Sequence, residues 1–126
     1  MSRFLLTVPA PAAWIRSNQH QDAWRTRHAL TKQWREATGW QARRQHLPQF
    51  GTGPVHVTAT IHRADNRAFD LDGVAPTVKA AIDGLRDVGV IADDNCRVIP
   101  ELTLRAGESW ADAALVLVIE TTEDAS

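Results

Sequence analysis

The sequence holds a single cysteine, Cys96, so no disulfide can form within the 126-residue chain. Such sparing use of cysteine fits a reducing compartment and predicts a cytoplasmic setting. Cys96 itself reads as a partly buried small residue rather than as a nucleophile. Nowhere does an apolar run reach the roughly eighteen residues that a membrane-crossing helix needs, so no membrane association is expected. The opening MSRFLLTVPAPAAW has only a short apolar run, closed by Pro9, which reads as a strand and not as the core of a signal peptide. Histidine is scattered over positions 20, 28, 46, 56 and 62, without the compact spacing of a zinc site. Internal repeats, low-complexity tracts and linkers are missing too, and the length fits one domain over residues 1–126.

What is present is an ordinary globular composition, 44% hydrophobic and 23% charged. The net charge of −1 conceals a split. Residues 1–67 carry ten Lys/Arg against three Asp/Glu, or +7, and residues 68–126 carry four against twelve, or −8. The basic half either meets an anionic partner or neutralises the acidic half within the fold.

The hydrophobic pattern gives the element order β-α-β-α-β-β. RFLLTVP reads as a strand ending at proline. A helix follows from about His20 or Asp22 to about Ala37, with Ala23, Leu30, Trp34 and Ala37 at helical spacing and Gly39 as its cap. Residues 41–54, which include Arg43 and Arg44, read as a mobile basic loop. VHVTATIH alternates as a half-buried strand. Residues 74–88 form the clearest helix, with Val74, Val78, Ala81, Ile82, Leu85 and Val88 on one face, Pro76 in the first turn and Gly89 at the end. A turn at residues 92–95 leads to a strand over residues 97–105, which Pro100 marks as an edge or a bulge. The apolar ALVLVIET is expected to be central and covered on both faces, and the tail 122–126 to fray. Together these elements predict an α/β (α+β) fold, a small mixed sheet packed by two main helices.

Within this frame the segment AFDLDGVAPTVKAA stands out, because Asp70 and Asp72 flank Leu71. In extended backbone, residues two apart share a side. Leu71 would then enter the core while both carboxylates face out. Like charges that close repel each other, and a magnesium ion, which takes one or two carboxylates plus waters and phosphate oxygens, would relieve the repulsion. The alternative is a solvated loop. Asp93 and Asp94 form a second acidic pair after the helix, and the returning chain can bring it to the same sheet edge; the alternative there is a turn or cap role. Lys79 is either the partner of Asp83 at i+4 or a cation facing phosphate.

Taken together, the strand and basic loop VTATIHRADNR, the DLD motif, the lysine-bearing helix TVKAAIDGLRDVGVI, the pair Asp93-Asp94 and the closing strand LVLVIE resemble the RusA family of Holliday-junction resolvases, small homodimeric endonucleases common in phages and prophages. The similarity covers residues 55–120, and more loosely the N-terminal strand and Ser17-Asn18 ahead of the basic helix. Gly73 stands where the family usually has asparagine, only Arg63 and Arg67 remain of its arginine run, and residues 75–77 look like a short insertion. The resemblance implies a RusA-like fold and a magnesium-dependent endonuclease, with manganese able to substitute, that resolves four-way DNA junctions by paired nicks. It implies catalysis by Asp70, Asp72, Asp94 and Lys79, and metal binding by Asp70, Asp72 and Asp94 with Asp93 beside them. DNA contacts would come from Arg63, Arg67, Arg25, Arg27 and Lys32, with the Arg43-Arg44 loop in support. Two cuts imply a homodimer, in the cytoplasm of a bacterial host or phage-infected cell. A junction-binding protein of the same fold without cleavage is the alternative. The five tryptophans could stack on unpaired bases, while Trp24 and Trp34 suit core or dimer packing.

Overall fold

The computed structural model describes residues 2–17 and 24–122. The expected first turn of the long helix, with His20, Asp22 and Ala23, and the expected fraying of residues 123–126 lie outside the described residues.

Four strands and two helices follow the order β-α-β-α-β-β: β1 Arg3–Pro9, α1 Trp24–Arg44, β2 Val55–His62, α2 Ala75–Asp87, β3 Glu101–Ala106 and β4 Ala114–Thr121. The sheet is mixed, with order β1-β4-β2-β3. β4 runs antiparallel to both β1 and β2, and β2 runs parallel to β3. A parallel pair needs a long crossover, and α2 supplies it. Register follows the alternation of apolar residues. Val57 lies opposite Ile119, Ala59 opposite Leu117 and Ile61 opposite Leu115, while Leu6 flanks Leu117 from the other side. All of these are buried in one core with Trp34, Val78, Ile82 and Leu85 of the helices. β4 is central as expected. Val116 and Val118, which face away from the core cluster, are buried as well.

Two boundaries differ from the pattern-based expectation. α1 does not stop near Ala37 but continues to Arg44, so Arg43 and Arg44 belong to its last turn and not to a loop. Gly39 is buried inside the helix, where a Cβ would lie 2.9 Å from Val88 Cγ1 and 3.2 Å from the Gly84 carbonyl. The helix ends in a Schellman motif: Leu47 N–H bonds Ala42 O (3.0 Å), His46 N–H bonds Arg43 O (3.1 Å), and His46 takes the left-handed conformation at φ 57°. The segment after it is held by bonds from Phe50 N–H to Val90 O and from Ala92 N–H to Gly51 O.

β3 begins at Glu101 rather than at Arg97. The Asn95 side chain accepts from the N–H groups of Arg97 (2.9 Å) and Val98 (3.3 Å), winding residues 95–99 into a turn that competes with extension. Pro100 then precedes the strand. Cys96 lies in this turn and is exposed, not partly buried. Among the tryptophans, Trp34 is fully buried and stacks on Trp14 at 4.9 Å, whereas Trp24 is exposed and contributes no core.

Candidate acidic site and its basic surround

The chain leaves β2 at His62 and winds into a single 3-10 turn at Asp72–Val74 before α2 begins. Leu71 is not extended but has helical angles (φ −61°, ψ −43°), and Gly73 N–H bonds Asp70 O. The premise that Asp70 and Asp72 lie on one side of an extended strand therefore fails. Leu71 does pack against the core, but the helical turn rotates the two exposed carboxylates into different clefts. Asp70 lines a cleft of roughly 290 Å³ with Arg16, Arg63, Arg67 and Phe69. Asp72 lines another, roughly 470 Å³, with Ser17, Arg27, Thr31, Lys79 and Asp83.

α2 places Lys79, Asp83 and Arg86 along one face at i, i+4 and i+7, and the turn after it returns Asp93 and Asp94 to that face. Lys79 Nζ donates to Asp83 Oδ1 at 2.9 Å and also to Asp94 Oδ2. Of the two sequence readings of Lys79, the helix ion pair with Asp83 is present, and the same ammonium also meets Asp94, a contact that neither reading named. Arg86 Nη1 lies 3.6 Å from Asp93 and 3.5 Å from Asp94. Asp93 Oδ1 accepts the Asp94 N–H at 2.8 Å, which orients the turn. The Lys79 ammonium, by hydrogen bonding, holds the Asp94 carboxyl down to about 2. In return Asp94 first, then Asp83, raise the Lys79 pKa. At neutral pH the pair is a carboxylate and an ammonium. Asp94 is then a hard anionic donor and no proton source, and Lys79 is a hydrogen-bond donor and no base.

Carboxylate oxygens are the donor type that magnesium selects, so Asp72, Asp93 and Asp94 fit that ion in their chemistry. Among the described residues, however, no three of His, Cys, Asp and Glu gather closely enough to form a ready metal cage. Asp94 is brought to Lys79, Asp72 shares a cleft with Lys79, and Asp70 lies apart with the arginines.

The expected DNA-contacting residues divide. Arg27 is in the Asp72 cleft, its Nη1 donating to Arg16 O at 3.4 Å. Arg63 and Arg67 frame Asp70; Arg63 stands 4.9 Å over the Phe69 ring and pairs with Asp65 at 3.3 Å. Arg25 lies over the Trp24 ring, and Lys32 faces Glu36 at 4.0 Å. Arg43 and Arg44 close the far end of α1, about 24 Å along the axis from Arg27 at 1.5 Å per residue. Sequence reasoning missed Arg16 and Arg86. Arg86 was legible as the i+7 partner of Lys79, but nothing local marked Arg16, which reaches the site only through the docking of its loop. His62, near the acidic loop in sequence, stacks on Trp110 at 3.5 Å, and its Nδ1 donates to Glu108 O. No described helix is long and apolar enough to cross a membrane. The chain matches no family model and no curated protein.

Proposed function

We propose that the chain is a magnesium-dependent, structure-selective DNA endonuclease that acts as a two-fold dimer and nicks four-way junctions. The observation that supports the reading best is the contact of Lys79 with Asp94. It joins the helix that follows Asp72 to the acidic turn after it, beside a cleft that Lys79 shares with Asp72 and Arg27; Arg16, Arg63 and Arg67 line the separate cleft of Asp70. Acids beside a fixed ammonium and a basic rim suit a phosphodiester, whose charge must be neutralised while the acids stay ionised.

In this reading Asp72 and Asp94, with Asp93 next to Asp94, would hold the metal, and Asp70 would join them only if its cleft closed toward theirs. Magnesium held by these carboxylates would supply a more acidic water and offset charge on the scissile phosphate. Lys79 donates hydrogen bonds from Nζ to phosphate oxygen and keeps its proton, because its pKa is raised. The arginines position the DNA backbone without reading its sequence.

The test is cleavage of a synthetic four-way junction with mapped cut sites, with and without magnesium. Symmetric nicks that require the metal are expected. In Asp72→Asn cleavage disappears while junction binding persists, and full cleavage by that variant defeats the assignment. A second reading, a junction-binding protein that does not cut, draws on the spread of Asp70, Asp72 and Asp94 over separate clefts. It predicts junction binding with no metal-dependent product.

A further inference from the structure

The two edges of the sheet are treated differently. β1 is blunted: it ends at Pro9, and its Thr7 carbonyl accepts a 3.0 Å bond from the Gln45 side chain of the segment after α1. β3 has only β2 as a neighbour, and among the described residues no backbone bond outside that pairing engages residues 101–106. Its side chains alternate. Leu102 and Leu104 pair with Val57 and Ala59 and so lie on the core face. Yet Leu102 is 45% exposed, because beyond it the core simply stops. A cleft of roughly 350 Å³ opens there between β3 and α2, lined by Val78, Ile82, Ile99, Leu102 and Leu104 together with Lys79 and Asp94.

Glu101 and Arg105 lie on the other face, one on each side of Thr103. We propose that β3 is the seam of a dimer. Two copies of this chain pair edge to edge, antiparallel, about a two-fold axis at Thr103, and make one eight-stranded sheet from two sheets of four. In that register Thr103 faces its own copy, Leu102 faces Leu104 of the partner subunit, and Glu101 faces Arg105 of the partner subunit. Both charges find opposite charges, and the leucines of both copies close the open core. Moving the axis to Leu104 places Arg105 against Thr103 and Glu101 against Gly107, so that neither meets an opposite charge across the seam and Glu101 keeps only His56 of its own chain, 3.8 Å away. An axis between residues sets Leu102 against Arg105, forcing the helix layers onto opposite faces. The sequence ELTLR is thus self-complementary in one register only. The surface deepens the nuclease reading, on whose dimer it rests. It sets the two Lys79–Asp94 contacts on the same face of the joined sheet, on either side of the axis, as paired nicks require.

The experiment measures mass in solution by sedimentation, on the full chain without DNA or metal. The wild type is expected at twice the 13.9 kDa chain mass. Glu101→Arg and Arg105→Glu each place like charges across the seam and are expected at 13.9 kDa, half the wild-type mass. An equimolar mixture of the two variants restores both opposite-charge pairs and returns the mass to the dimer value. The double variant Glu101→Arg/Arg105→Glu does the same, which keeps the test decisive should a single variant fold poorly. A monomeric wild type, a single variant that stays dimeric, or a mixture and double variant that both stay monomeric overturns the proposal. Since no substrate is involved, a dimer that ignores the charge reversals removes β3 as the seam and leaves the nuclease reading to the cleavage assay.

Discussion

Thr77 has no exposed surface, yet it carries a hydroxyl. That hydroxyl accepts from the Ile15 N–H at 2.7 Å and donates to the Ile15 carbonyl at 3.0 Å. One side chain on α2 thereby satisfies both backbone groups of a buried loop residue and fixes the loop that delivers Arg16 and Ser17 to the acidic site. Thr77→Val preserves shape but strands both groups, each at about 1–3 kcal/mol. Urea unfolding is therefore expected to show a loss of about 2–6 kcal/mol, largely avoided in Thr77→Ser; equal losses in both variants would mean that the hydroxyl is not what matters. Residue chemistry was also where sequence reading was weakest. That the chain returns Asp93 and Asp94 toward the start of α2 was legible, because it is a topological consequence of a helix and a short turn, whereas the contact of Lys79 with Asp94 was not named. That Asp70 and Asp72 part company was not, because it depends on the helical backbone of Leu71.

The Lys79–Asp94 contact also makes a pH prediction. Asp94 lies at about 2 when folded, against an ordinary value of 3.8. A depressed carboxyl stabilises the fold above its unfolded value, and the contribution is lost as pH falls through the folded one. Lys79 is raised from 10.5, so its share persists below that value and disappears only as pH rises past its folded value. Lys79 is 61% exposed, and an exposed pair is worth about 0.2–1 kcal/mol. The stability difference between wild type and Lys79→Met is expected to stay level from pH 5 to 9 and to close between about pH 4 and 2. A difference that changes around pH 6–7 would assign the effect to another group.

Between the elements, the tightest constraint is the crossing of α1 and α2. A Cβ on Gly84 would stand 2.3 Å from the Arg35 carbonyl oxygen, a backbone atom that cannot move aside alone. The same crossing is clamped on its outer side by a two-pronged bond from Arg35 to Asp87, at 2.6 and 2.8 Å. In an exposed helix Gly→Ala would gain about 1 kcal/mol, whereas overpacking costs about 1–3 kcal/mol or more. At 2.3 Å the clash wins, and Gly84→Ala is expected to lower the denaturation midpoint; a raised midpoint would refute the close crossing. The elements themselves were largely legible. β2 and α2 carry unmistakable periods of 2 and 3.6, β4 is a continuous apolar run, and the edge position of β3 was one of two alternatives that Pro100 offered, although Pro100 stands just ahead of the strand. The end of α1 was not legible, because Gly39 looks like a terminator in sequence but serves the crossing, while the true cap is His46, a residue that takes the left-handed conformation far less readily than glycine. Nor was the start of β3, where the Asn95 side chain wins the local backbone from the strand.

At the scale of the whole molecule, the +7 and −8 halves neither simply cancel nor simply separate. Arg35 with Asp87 and Lys32 with Glu36 are internal or local pairs, and Arg86 serves the acidic turn. Arg16, Arg27, Arg63 and Arg67 instead surround the clefts that hold Asp70 and Asp72. If those arginines grip phosphates, junction binding weakens with salt, and each lost contact lowers the slope of log K against log salt by about 1. Arg27→Ala and Arg67→Ala are therefore each expected to flatten the slope by about that amount and to weaken binding to branched DNA of any sequence alike. Arg43→Ala, about 24 Å along α1 from Arg27, provides the comparison. A larger slope change at Arg43 than at Arg27 or Arg67 would move the DNA track to the far end of α1, away from Lys79 and Asp94, and would separate binding from the proposed chemistry. The wild-type slope, measured on the same junction, sets how many such contacts exist. A value no steeper than the two arginines account for would confine the DNA to the rim of these clefts.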